Sequence, residues 1–169
     1  MTVTINGQQM SIEVPSHATV LDMIRGELDL TGAKPACDMG DCGACAVLVD
    51  GVPILACITL AAEVENTCVT TVEGVSNGPH LHPVQRAFHR LGAAQCGYCT
   101  PGFVVAAAAL LEQTPHPSEA QIRWALSGNL CRCTGYTAIV AAVKEAAAET
   151  ANADTGVNPA EVSVVSEEP

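Results

Sequence analysis

The chain has 169 residues, 49% of them apolar but only 3% aromatic, so Ala, Val and Leu must supply most of any core. Its 18 acidic residues against 7 basic ones leave a net charge of −11, which excludes a nucleic-acid surface built on clustered Lys and Arg; the acidity reads as a solvated surface. No apolar run approaches the roughly 18 residues of a membrane span, and the start MTVTINGQQM lacks the basic and apolar segments of an export signal, so a cytoplasmic location is expected.

The first half reads as strands around one helix. Val3 and Ile5 alternate with polar neighbours, Asn6-Gly7 is a hairpin turn, and Met10, Ile12 and Val14 share a face of the next run. Val20, Leu21, Ile24 and Leu28 have helical spacing within Ser16 to Asp29. Ala44 to Val49 and Val52 to Cys57 form a second hairpin across Asp50-Gly51, and a last strand is expected near Thr67 to Val72. After a polar linker at Gly74 to Pro79 the period changes. Helices are predicted over Pro83 to Leu91, Thr100 to Gln113, Ser118 to Ser127 and Thr134 to Glu149, with Thr100 as N-cap ahead of Pro101. The stretch Phe103 to Leu111 is apolar on every side and belongs in the centre of the helical half. From about Thr150 the periodicity is lost. The expected division is 1–76, 77–150 and an irregular tail, 151–169.

Nine cysteines in a chain read as cytoplasmic point to metal ligation rather than to disulfides. Cys37, Cys42, Cys45 and Cys57 follow C-x4-C-x2-C with a distant fourth cysteine, the spacing of plant-type [2Fe–2S] ferredoxins. Gly40 and Gly43 allow the loop to turn its backbone N–H groups toward sulfur. Cys96 and Cys99 form C-x2-C, and Cys131 and Cys133 form C-x-C; each pair is followed by Thr and a helix, so an anionic centre would lie between two helix N-termini. Zinc is the rival ligand, but C-x-C is too tight for an ordinary zinc knuckle. A Rieske centre needs histidines among the ligands, and none of His17, His80, His82, His89 or His116 adjoins these motifs. Cys68, the ninth, is expected as a small buried core residue.

The segments CDMGDCGAC, QCGYCTPG and GNLCRCTGY together resemble the iron–sulfur subunit of the molybdenum hydroxylases, the xanthine dehydrogenase and carbon monoxide dehydrogenase family, over about Val3 to Ala148. The resemblance implies an α+β fold: a plant-ferredoxin-like β-grasp domain, then an all-α four-helix bundle, each with one [2Fe–2S] cluster. It implies a large molybdopterin (Mo) subunit and a medium FAD subunit as partners, assembled as a dimer of heterotrimers. Electrons would pass from molybdenum through both clusters to flavin, while the large subunit oxidises a small substrate with oxygen from water. An N-heterocyclic aromatic or an aldehyde is the preferred substrate; carbon monoxide and acyl-thioesters remain open. Gln95 matches the residue before the family's C-G-x-C and would hydrogen-bond the pterin. Thr100-Pro101-Gly102 and Thr134-Gly135-Tyr136 resemble the branch with a flavin subunit, whereas a flavin-free branch delivers electrons to a cytochrome. Pro35-Ala36 and Ala46 depart from the usual residues around the first loop. The remaining alternatives are a zinc-binding interaction protein, colourless where an iron–sulfur protein is red-brown, and a free-standing ferredoxin, which the whole second half disfavours.

Overall fold

Two tight turns set the sheet. Asn6-Gly7 (φ 49° and 81°) joins β1 (Thr2–Ile5) to β2 (Gln8–Ser11), and Asp50-Gly51 (φ 49° and 82°) joins β3 (Ala46–Val49) to β4 (Val52–Leu55). Left-handed φ at both central residues matches the twist of the flanking strands. In the computed structural model, which describes residues 1–76 and 78–154, β5 (Cys68–Thr70) enters between the hairpins and gives the order β2-β1-β5-β3-β4. It runs parallel to β1 and antiparallel to β3. Asn77 of the expected linker and residues 155–169 of the expected tail lie outside the described residues.

One face of this mixed sheet covers a first core of Val3, Ile5, Val47 and Val69 against Val20, Leu21, Met23 and Ile24. The helix expected over Ser16 to Asp29 is much shorter. α1 (Val20–Asp22) is opened by Thr19 and Asp22, which cap each other's backbone N–H groups, and it widens at once into a π-turn over Met23–Glu27. The apolar spacing is right because those side chains still face the sheet, but Gly26 and the turn at Leu28 leave no room for further regular turns. Cys68 is a correction: it is exposed, and its N–H donates to the Asp50 carboxylate. Strand alternation gives the inward positions to Val69 and Thr71, so the phase expected for that run was off by one residue.

The second half is helical: α2 (Pro83–Arg90), α3 (Thr100–Gln113), α4 (Glu119–Ala125) and α5 (Thr137–Asp154), the last continuing beyond the point where the sequence loses its period. Arg86 and Arg90 of α2 pair with Glu149 and Glu145 of α5 along their contact. α3 is buried from Gly102 to Ala109, as its all-round apolarity requires. Phe103, Val104 and Ala107 fill the helical core, while Val105 and Ala109 pack on Ala46 and Leu48 of β3. One helix thus belongs to both cores, which makes the two halves one packed body. No helix among the described residues is long and apolar enough to cross a membrane.

Candidate iron–sulfur sites

The first four cysteines are gathered by a loop without regular structure. Its path from Cys37 to Cys45 needs left-handed φ at Asp38 (52°), Gly40 (85°) and Gly43 (69°). The winding turns the N–H groups of Met39, Cys42 and Asp41 onto the Cys37 thiol, with Asp41 N at 3.4 Å from Sγ. These donors hold its pKa down to about 6. Cys45 lies at the inner end of the loop, and burial raises its thiol to about 11. Cys57 follows β4 and faces Cys45, so the sheet supplies the fourth sulfur.

The second four sit where α3 begins. Cys99 is itself the N-cap of α3 and Thr100 the first helical residue, one position earlier than the sequence pattern placed the cap. Burial pushes Cys99 up to about 12. Burial also disfavours the Cys131 thiolate, but the Thr134 hydroxyl (3.2 Å), the N–H groups of Thr134 and Cys133, and Cys99 outweigh it and bring this pKa to about 7. α5 starts only at Thr137, after Gly135 and Tyr136, both with positive φ (64° and 68°). The second helix N-terminus is therefore set back from the cysteines, and its dipole reaches them weakly. Tyr136 accepts that strained conformation in a tied position: its hydroxyl takes the Cys131 N–H at 2.9 Å, and its ring meets Phe103 edge-on at 6.1 Å.

The donor chemistry fits a two-iron centre. All nine cysteines are free thiols. The sulfurs approach in pairs: Cys37 with Cys42, Cys45 with Cys57, Cys99 with Cys131, and Cys96 with Cys133 at 3.6 Å. Two thiolates on one tetrahedral ion, each at about 2.3 Å, lie about 3.8 Å apart, and a two-iron cluster takes its thiolates two per iron. Among the described residues no three Cys, His, Asp or Glu side chains close around a single ion position. The raised thiols must lose a proton to bind, so loading the sites would release protons.

The two groups meet. Leu130 N–H donates to Cys42 O at 2.9 Å, and Leu130 is the residue before Cys131. Beside this bond the buried Asn129 amide donates to Gly43 O at 3.1 Å. The approach is so close that a Cβ on Gly102 would stand 2.2 Å from Gly43 O, and one on Gly43 2.4 Å from Gly128 O. The Tyr98 hydroxyl adds a bond to Pro35 O. Asn129, Leu130, Tyr98 and Tyr136 lie in or beside the cysteine motifs, but spacing assigns them no task, because each acts across a long sequence separation or through its backbone. Gln95 is exposed next to Cys96, as are Cys133 and Leu130. The histidines stand apart from the cysteines; His82 instead caps α2, its Nδ1 accepting from Val84 N–H, and burial lowers its pKa.

Known proteins carry the same design. Residues 3–73 match the model of the 2Fe-2S iron-sulfur cluster binding domain and residues 71–144 that of the [2Fe-2S] binding domain. The nicotine 6-hydroxylase small subunit of Paenarthrobacter nicotinovorans is 45% identical over 89% of this chain and 90% of its own length. The nicotinate dehydrogenase small FeS subunit of Eubacterium barkeri is 41% identical over 90% and 97%. Among solved structures, quinoline 2-oxidoreductase from Pseudomonas putida 86 matches with a TM-score of 0.86 and 41% identity, over 94% of this chain and 97% of that one. Aldehyde oxidoreductase from Desulfovibrio gigas matches with a TM-score of 0.85 at 40% identity, over 94% of this chain but 17% of that longer one. Paired cysteines on a sheet-borne loop and at a helix start, held in contact by one hydrogen bond, thus recur across these proteins' equivalents in sequence: the chain belongs to the small iron–sulfur subunits of the molybdenum hydroxylases.

Proposed function

We propose that Cys37, Cys42, Cys45 and Cys57 hold one [2Fe–2S] cluster and that Cys96, Cys99, Cys131 and Cys133 hold the other. When bound, each cluster accepts and releases a single electron. The chain is the electron-transfer subunit of a multi-subunit oxidoreductase and holds no substrate site of its own. The observation that carries the assignment is the bond from Leu130 N–H to Cys42 O, which leaves the two ligand sets one hydrogen bond and one residue apart. Two groups so joined act in series. The domain division near residue 76 follows the two cores, the sheet order matches a β-grasp, and the pairwise contacts of α2 with α3 and α5 and of α4 with α3 and α5 support a four-helix bundle.

Partners follow from which cysteines reach the surface. Cys96 and Cys133 open onto a face with Gln95, Tyr98 and Leu130, the last 54% exposed, and apolar side chains at such a place invite cover. We assign this face to a large molybdopterin subunit, with Gln95 on the pterin. The other end opens beside Cys57, where Arg25 and Asp38 line a cleft of about 740 Å³; this end is assigned to a medium FAD subunit. A dimer of heterotrimers in the cytoplasm, acting on an N-heterocyclic aromatic, is the reading that the names of the similar proteins favour, with an aldehyde as the second choice. Electron paramagnetic resonance of the anaerobically reduced complex, with iron and sulfide analysis, tests the assignment. Two distinct S = 1/2 signals are expected, and a colourless, silent sample containing zinc would overturn it.

A further inference from the structure

The contact between the two cysteine groups is unusual in its construction. A buried side-chain amide, Asn129, reaches from the segment that leads into Cys131 to the carbonyl of Gly43, next to Cys42. Nothing larger than hydrogen fits on either glycine there, since added Cβ atoms would lie 2.6 Å and 3.0 Å from Asn129 Nδ2 at Gly43 and Gly102. The amide is thus enclosed by Gly43, Gly102 and its own backbone. A surface asparagine could move; this one has a single resting place. Its neighbour in sequence, Leu130, makes the 2.9 Å bond to Cys42 O. With Asn129 seated, the peptide that follows it is fixed in both position and direction. Without it, the segment from Gly128 to Leu130 is exposed on either side of position 129 and has little else to hold it.

We propose that Asn129 is a positioning residue for electron transfer between the two clusters: its amide bond to Gly43 O holds Leu130 N–H on Cys42 O and so sets the coupling between the two ligand sets. This rests on the cluster assignment above. Asn129 touches no cysteine sulfur among its recorded bonds, and its action is on the distance and direction of the joining hydrogen bond. Substitution should therefore leave both clusters in place and weaken their communication. A residue that merely filled space would instead lower stability and leave the communication alone.

The test uses the loaded, assembled complex carrying N129D, N129A or V105A. N129D keeps the shape of the side chain but removes the donor to Gly43 O. V105A loosens the packing of α3 on β3, at the same junction, without touching Asn129, Gly43 or Leu130. Two readouts are taken on each: the magnetic splitting between the two reduced-cluster signals, and hydrogen exchange at the Leu130 amide. Both N129 variants should retain the iron of the wild type, lose splitting, and speed Leu130 exchange about tenfold, the factor expected when one hydrogen bond of a buried network goes. V105A should lower thermal stability and leave splitting and exchange unchanged. Wild-type splitting and exchange in N129D overturn the proposal, as does an equal loss in V105A. If N129A fails to load, N129D decides alone; if N129D also fails to load while V105A loads, Asn129 is needed to form a site and the proposal is wrong. Absence of two signals in the wild type would sink the cluster assignment itself, a result distinct from any of these.

Discussion

The two cysteine groups solve one electrostatic problem by different means. Four thiolates around two irons form an anion, and the protein must supply positive potential near sulfur. In the first group the supply is a wound loop: Met39, Asp41 and Cys42 aim N–H groups at Cys37, which glycine and aspartate residues with left-handed φ make possible. In the second it is a helix start at Cys99 together with the Thr134 hydroxyl on Cys131. The loop is bound to the sheet only at its ends, whereas Cys99 and Cys131 pack against the helical core. The difference teaches where each site is vulnerable. The first depends on backbone conformation, the second on the integrity of the core beneath it.

The largest effect should come from breaking one group outright. Cys42→Ser is expected to remove the loop cluster and about half of the iron, while the signal of the helical cluster persists; loss of both signals would show that the sites are not separable. Phe103→Ala attacks the second group from below. The ring is fully buried and supports Tyr136, so about 3–5 kcal/mol of stability should be lost and the helical cluster should bleach first on heating. Bleaching of the loop cluster first would reverse the comparison. Gly43→Ala should be more damaging than Gly51→Ala, though both positions have positive φ (69° and 82°), because a Cβ at Gly51 meets open space. At Gly51 only the strain of the left-handed region applies, about 1–2 kcal/mol, measurable by chemical denaturation. Ser118→Ala removes the cap of α4, far from both groups, and should cost about 1 kcal/mol with both signals untouched. Smallest of all, Cys68→Ser should change neither iron content nor stability beyond about 0.5 kcal/mol, since that thiol is exposed and distant from the motifs. An iron deficit in this variant would mean that a ligand has been misassigned.

Much of this protein is legible in its residues because the signals are local. Asn6-Gly7 and Asp50-Gly51 demand tight turns, and both occur with the expected φ. The helix over Thr100–Gln113 is bounded as its apolar run and Pro101 indicate. The cysteine spacings mark the family on their own, since three motifs in order leave few alternatives. What periodicity could not reveal depends on contacts between distant parts. The helix after Thr19 shortens and widens because the sheet and Gly26 constrain it, not because its own pattern changes. The phase of β5 was set by its neighbours β1 and β3, which turned Cys68 outward. α5 begins later than Thr134 because Tyr136 is held by Cys131 and Phe103. The sequence by itself therefore determined the chemistry of each cysteine group and the order of strands and helices, as these rest on residue type and short spacing. Only the tertiary structure decided how the groups face each other. The bonds from Leu130 to Cys42 and from Asn129 to Gly43 span more than eighty positions of chain, and no local pattern encodes a contact that exists only once two cores share one helix.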